Sequence, residues 1–108
     1  MKVRCIIKRP DEEFGHVTNI SVTLENLQKT VGGMIEVVPV APGTVLICNE
    51  EGKIRGLEPN FMMGFGISAD CVVGTVIVIG VGGKYDEEFV DLKLTFGQWK
   101  AILREWGN

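Results

Sequence analysis

The segment 72–81, VVGTVIVIGV, constrains the fold most strongly, because it is almost continuously apolar. A strand with one face in water alternates apolar and polar residues, whereas an uninterrupted apolar strand is typical of a sheet covered on both faces. The segment is also shorter than the ~18 apolar residues that indicate a membrane span. We therefore predict a buried strand here, and no membrane association.

A first helix is predicted over about residues 23–31, with Thr23 as its N-cap. Gly32 ends it, because glycine adopts positive φ without a steric penalty, and Gly33 lets the chain reverse into an extended segment over residues 34–40. The apolar residues of the helix recur on one face, at Leu24, Leu27 and Val31.

A second helix is predicted over about residues 95–106, where Thr95 and Gln98 form a T-x-x-Q capping box. Its apolar stripe consists of Phe96, Trp99, Ile102, Leu103 and Trp106. We expect the two tryptophans to pack in the core rather than to form a stacking platform.

Further extended segments are predicted over residues 3–8, 16–22 and 89–94. Together with the two helices they indicate one α+β domain over residues 1–108, built on a mainly antiparallel or mixed β-sheet.

The clearest hairpin signal is the polar, glycine-containing turn 49–52 between the apolar segments 45–48 and 53–57. Residues 58–68 contain a proline and two glycines and are predicted to be irregular. The apolar run 61–65, FMMGF, is more than a small domain is expected to bury, so we expect homo-oligomerisation.

Charge and cysteine content exclude several classes of function. The net charge of −3 and pI near 5.1 leave no basic field for general nucleic-acid binding. Three cysteines, an odd number set in apolar sequence, indicate reduced core thiols in a cytosolic protein. Because the amino terminus also lacks a secretory signal, we expect a cytoplasmic location.

No motif predicts a cofactor, a metal or a catalytic group. The string 64–69, GFGISA, imitates a dinucleotide fingerprint, but no strand–turn–helix pattern surrounds it. His16 is the only histidine and the cysteines are not clustered, so we expect no metal site. Burial in apolar sequence would raise the pKa of each thiol, which argues against a nucleophilic cysteine.

The polar residues Gln28 and Glu36 are harder to explain, because they accompany residues that favour burial. They either fix the first helix to the following strand and to the Asn49–Glu50 turn, or face a ligand or partner. The candidate ligand-binding or partner-binding residues are Gln28, Gly32, Gly33, Glu36, Asn49, Glu50 and Asn60.

Several strings resemble the domain-of-unknown-function family 3846: LENLQKTVGGMIE at 24–36, NEEGK at 49–53, Leu57 with Pro59–Asn60, and Asp70 with Gly74–Thr75. The resemblance covers about residues 3–94, and Phe61 replaces a basic residue of the family pattern. Members are small proteins of bacteria, phages and mobile elements.

The resemblance implies a non-enzymatic binding protein of phage or mobile-element type, acting as an inhibitor or ligand sponge against host defence. Its partner would be a host protein or a small signalling molecule, in the cytoplasm of a bacterial host. This step is an analogy between proteins of similar origin. The alternatives are a structural assembly subunit that acts through protein–protein contacts, and a small enzyme that uses Glu36 or Glu50 as a base.

Overall fold

The fold combines eight short strands with two helices, in a computed structural model that describes residues 1–85 and 87–108. The elements are β1 (Lys2–Lys8), β2 (His16–Ser21), α1 (Leu24–Val31), β3 (Ile35–Ala41), β4 (Thr44–Asn49), β5 (Pro59–Met63), β6 (Asp70–Val73), β7 (Val76–Gly82), β8 (Glu88–Val90) and α2 (Phe96–Glu105), with a 3-10 turn at Gly66–Ser68.

Six strands form one antiparallel sheet in the order β2-β1-β7-β4-β3, with β8 beside the end of β7. Val78 at the centre of β7 pairs with Ile6 of β1 on one side and with Leu46 of β4 on the other. Strands β5 and β6 form a separate antiparallel hairpin. The predicted α+β class with a mainly antiparallel sheet and two helices is confirmed.

Strand β7 is covered on both faces, as its apolar sequence predicts. Ile77 and Ile79 belong to the core beneath α1, whereas Val76 and Val78 belong to the core beneath α2. The apolar run itself is two strands rather than one, because β6 ends at Val73 and Gly74 takes a φ of 74° before β7 begins. The helices therefore lie on opposite faces of the sheet.

Both predicted helix caps are confirmed. The Thr23 hydroxyl accepts a hydrogen bond from the backbone N–H of Asn26 at 3.1 Å, and Gly32 closes α1 with a φ of 83°. Thr95 and Gln98 form the capping box of α2. Because an isolated helix of this length is marginal in water, α1 depends on the burial of Leu27 and Val31 against the sheet.

The prediction that residues 58–68 are irregular is wrong for their first half, which is strand β5. Phe61 in this strand is only 5% exposed, and its ring makes an edge contact with the fully buried Trp99 at 5.8 Å between centroids. The predicted burial of Trp99 is thus confirmed. The apolar run 61–65 is not wholly exposed, since Phe61 belongs to the core while Phe65 at the hairpin tip is 63% exposed.

The predicted hairpin around residues 49–52 is also wrong. Residues 50–56 form consecutive turns, and β4 pairs instead with β3 through the tight Pro42–Gly43 turn. Gly43 has a φ of 74°, which suits glycine. The segment 53–57 packs as a loop because β7 already occupies the other edge of β4.

Candidate functional site

A cleft of about 420 Å³ opens between the β3–β4 pair and the β5–β6 hairpin, on the α2 face of the sheet. We call it the Cys48 cleft. Its polar lining consists of Glu36, Cys48, Asn49, Glu50, Lys53, Asp70 and Cys71. Its apolar lining includes Val38, Leu46, Ile54, Met63 and Val72. Three candidate residues from the sequence, Glu36, Asn49 and Glu50, thus line one cavity.

The cleft is acidic. Three carboxylates line it, those of Glu36, Glu50 and Asp70, against one ammonium group, that of Lys53. Lys53 donates a hydrogen bond to Asp70, and this exposed ion pair raises the pKa of Lys53 and lowers that of Asp70. Within the described part of the chain, the Glu50 carboxylate has no hydrogen-bond partner. An excess of negative charge therefore faces the cavity.

The Cys48 thiol lies at the inner wall and donates to a Glu36 carboxylate oxygen at 3.8 Å. Burial, together with the charge of Glu36, raises the pKa of Cys48 to about 11. The thiol is therefore protonated at neutral pH and is a poor nucleophile. Cys71 on β6 also lines the cleft and points its thiol toward the Val72 carbonyl, at 3.8 Å.

Asn49 has a second role behind the cleft, where the end of β4 meets the end of α1. Its side-chain amide donates to the Val31 carbonyl at 3.2 Å, and its carbonyl oxygen accepts from the Glu51 N–H at 2.8 Å. Arg55 donates to the Gly32 carbonyl at 2.9 Å. These contacts satisfy carbonyl groups that the end of a helix leaves without partners. We call this set of contacts the helix junction.

Gly33 belongs to the helix junction for a reason that the sequence does not reveal. A Cβ atom at this position would lie 2.9 Å from both the Arg55 guanidinium and the Asn49 amide. A larger residue at Gly33 would therefore displace these two side chains from their junction contacts, whereas Gly32 is favoured by its positive φ. Both glycines act within the protein rather than at the cleft.

The remaining two candidate residues lie elsewhere. Among the described residues, the Gln28 side chain hydrogen-bonds only to the Met34 sulfur, at 3.4 Å, so no hydrogen bond joins it to Glu36. Asn60 donates to the backbone carbonyls of Lys8 and Gly74 at 2.9 and 2.8 Å and accepts from the Lys8 ammonium group. Burial lowers the pKa of Lys8, whose ammonium also donates to the Glu12 carbonyl at 2.7 Å. Asn60 thus supports a buried lysine.

Sequence reasoning missed four residues of the cleft: Cys48, Lys53, Asp70 and Cys71. Lys53 and Asp70 were present in the strings that carry the family resemblance, so a signal existed for these two. The cysteines were assigned to the core, which is correct for Cys5 but not for the half-buried Cys48 and Cys71. Their place depends on β6 pairing with β5 and lying beside β4.

The described residues contain neither a metal-binding cluster nor a membrane-spanning helix. Residues 1–85 and 87–108 contain no group of three or more histidine, cysteine or acidic side chains that could hold a metal ion. No helix in the same residues is long and apolar enough to cross a membrane.

Comparison with known families gives one match, which spans residues 1–101 and is described as Domain of unknown function (DUF3846). The chain belongs to this family. The match includes every residue of the Cys48 cleft and the helix junction, so both regions lie within the DUF3846 domain. Searches of curated proteins and of solved structures gave no match.

Proposed function

We propose that this DUF3846 protein is a non-enzymatic binding protein whose Cys48 cleft holds a cationic group with an apolar portion. The supporting observation is the excess of carboxylates, Glu36, Glu50 and Asp70, over an apolar wall. This excess of negative charge would attract and concentrate positively charged groups at the cleft. The cationic group belongs to a small amine or to a lysine or arginine side chain of a partner protein.

The expected biological setting is part of the proposal. A phage or mobile-element protein that blocks a host component, or removes a signalling molecule, needs a binding site but no catalytic centre. Among signalling molecules, the charge of the cleft favours cationic over anionic ones. The free thiols Cys5, Cys48 and Cys71 support a reducing, cytoplasmic site of action.

Two alternatives have different requirements. An enzyme that uses Glu36 or Glu50 as a base needs a polarised substrate group beside that carboxylate. The Cys48 thiol beside Glu36 is held protonated, so it does not supply a nucleophile for such a reaction. An assembly subunit needs complementary surfaces rather than a cleft. Homo-oligomerisation is compatible with a binding protein.

Methyl NMR of methionine tests the proposal, because Met63 lines the cleft whereas Met1, Met34 and Met62 do not. The probes are agmatine and spermidine as cations and AMP as an anion. We expect the cations to shift the Met63 methyl signal selectively. Equal shifts at all four methionines, or a stronger response to AMP, would contradict the proposal.

A matched pair of variants links any response to the cleft. Glu36→Gln with Glu50→Gln removes two carboxylates from the lining, while Glu51→Gln with Glu58→Gln removes two exposed carboxylates outside it. We expect the first pair to weaken binding of the cations by about tenfold or more, and the second to leave it nearly unchanged. Conversion of any probe to product would instead support the enzyme alternative.

A further inference from the structure

A second and larger pocket, of about 690 Å³, lies beside the Pro42–Gly43 turn between β3 and β4. We call it the turn pocket. Its lining is mainly apolar and includes Val37, Val40, Ala41, Val45, Val81 and Phe89. Val45, Val81 and Phe89 pack with the core beneath α1, whereas Val40 packs with the core beneath α2, so the turn pocket lies mainly on the α1 face of the sheet. It is therefore separate from the Cys48 cleft on the α2 face.

The rim of the turn pocket is negatively charged. Glu87 and Glu88 contribute to its lining, and both side chains are exposed. The Glu87 carboxylate accepts a hydrogen bond from the Tyr85 N–H at 2.7 Å, whereas Glu88 has no partner among the described residues. An apolar pocket with an acidic rim is complementary to an apolar surface that carries cations.

The same chain carries such a surface on α2 and on the loop between β1 and β2, where the rings of Phe96 and Phe14 are half-buried. Lys100 lies over the rings of Phe14 and Phe96, with its ammonium 5.4 and 5.3 Å from their centroids. The Arg104 guanidinium lies 5.1 Å from the centroid of Phe14. Neither cation forms an ion pair with a carboxylate of the described residues. We call these four side chains the α2 ridge.

We propose that the turn pocket of one copy receives the α2 ridge of a second copy, so that the protein associates head to tail. The aromatic rings and the aliphatic stems of the ridge would cover the apolar lining, and Lys100 and Arg104 would meet Glu87 and Glu88. This inference is independent of the proposed ligand, because it concerns a different pocket.

The positions of the two surfaces determine what kind of assembly forms. The turn pocket lies on the α1 face and the ridge packs on the core beneath α2, so one copy can engage two neighbours at once. Contacts between two unlike surfaces produce a ring or an open chain rather than a closed two-fold dimer. We therefore expect the assembly to grow with protein concentration, and to weaken with salt.

Sedimentation velocity of the full chain, over a range of concentration and salt, tests this mode of assembly. Glu88→Lys places like charge opposite the ridge, and Lys100→Ser with Arg104→Ser removes the cations. We expect each change to raise the dissociation constant at least about tenfold. The controls are Glu25→Lys and Lys29→Ser on the exposed surface of α1, which we expect to associate as the wild type does.

Mixing the defective variants gives the decisive result. The Glu88→Lys variant keeps an intact ridge, and the Lys100→Ser, Arg104→Ser variant keeps an intact pocket. An equimolar mixture should form a one-to-one dimer and nothing larger, since only one functional interface remains. Failure of the mixture to associate, when the wild type does, would overturn the proposal.

Other results would also overturn it. A wild-type protein that is monomeric at all concentrations and salt levels would exclude the assembly. Loss of association on Phe65→Ser with Ile67→Ser would assign it to the β5–β6 hairpin tip, where both side chains are exposed. Loss on Glu36→Gln with Glu50→Gln would assign it to the Cys48 cleft. Val37→Lys, at an exposed position of the pocket lining, replaces Glu88→Lys if that variant does not fold.

Discussion

The helix junction and the Cys48 cleft share Asn49 but differ in how their polar groups are used. In the junction, each polar side chain has a partner inside the protein: Asn49 bonds Val31 and Glu51, and Arg55 bonds Gly32. In the cleft, Glu36 has only a thiol donor and Glu50 has no partner among the described residues. Polar residues of similar sequence context thus divide into those that are paired within the protein and those that have few partners there.

The largest effect that tests this comparison is expected at alkaline pH. Burial raises the pKa of both Cys5 and Cys48 from 9.0 to about 11. A thiol whose folded pKa is raised stabilises the protein fully below pH 9, and this stability is lost as the pH rises through 11. We expect each thiol to contribute about 2–3 kcal/mol to the loss. Urea denaturation at pH 8 and near pH 11 measures it.

The two thiols distinguish a closed core from a partly open cleft. Cys5→Ala and Cys48→Ala should each reduce the alkaline loss, whatever they cost at pH 8. Lys8 acts in the opposite direction, because a lowered pKa in the folded state makes stability rise as the pH approaches 10.5. Lys8 is present in all variants, so its effect cancels when they are compared. An unchanged alkaline loss in Cys48→Ala alone would show that the cleft is more hydrated than the core at Cys5.

The next largest effect is expected from Asn49→Ala in the helix junction. Asn49 is only 6% exposed, and its removal leaves the Val31 carbonyl and the Glu51 N–H without these partners. We expect a loss of about 2 kcal/mol in the free energy of unfolding. Gln28→Ala is the control, because among the described residues its side-chain amide hydrogen-bonds only to the Met34 sulfur, and we expect a loss of less than about 0.5 kcal/mol. Equal losses in Asn49→Ala and Gln28→Ala would show that the helix junction contributes no more to stability than the Gln28 side chain does.

A somewhat smaller effect is expected at Gly32, where φ is 83°. Gly32→Val should cost about 1–2 kcal/mol, because a β-branched residue is strained at positive φ, whereas Gly32→Asn should cost less. Thermal melts monitored by circular dichroism compare the two. Identical melting temperatures would mean that the helix end relaxes to another conformation.

The smallest effect on stability is expected at Glu36, in the cleft. Because Glu36 is exposed and accepts only a long thiol contact, Glu36→Gln should change the free energy of unfolding by less than about 0.5 kcal/mol. A loss comparable to that of Asn49→Ala would place Glu36 with the structural residues. The comparison between junction and cleft would then fail.

Local sequence signals predicted the helices well and the loops poorly. Thr23, Gly32, Thr95 and Gln98 act through neighbours within a few residues, so their roles follow from spacing alone. The turn 49–52 carries an equally good local hairpin signal, but the segment after it does not pair with β4. The partners of β4 are β3 and β7, and that choice depends on contacts between distant segments.

The candidate site was predictable only in part. Glu36, Asn49 and Glu50 were suspected because polar residues among apolar ones require an explanation, and all three line the cleft. Asn60 was suspected for the same reason but supports Lys8 elsewhere. Lys53 and Asp70 are distant in sequence, and their pairing requires the β5–β6 hairpin to lie beside the turns after β4.

By itself, the sequence determined which segments are helical, where the helices end, and that β7 is buried on both faces. These properties depend on short-range capping, backbone geometry and the period of apolar residues. Only the tertiary structure decided that Gly33 lies against the Arg55 and Asn49 side chains, that Phe61 is buried, and that three carboxylates line one cleft. The physical reason is that packing and electrostatics depend on distances between atoms, and chain folding sets those distances for residues far apart in sequence.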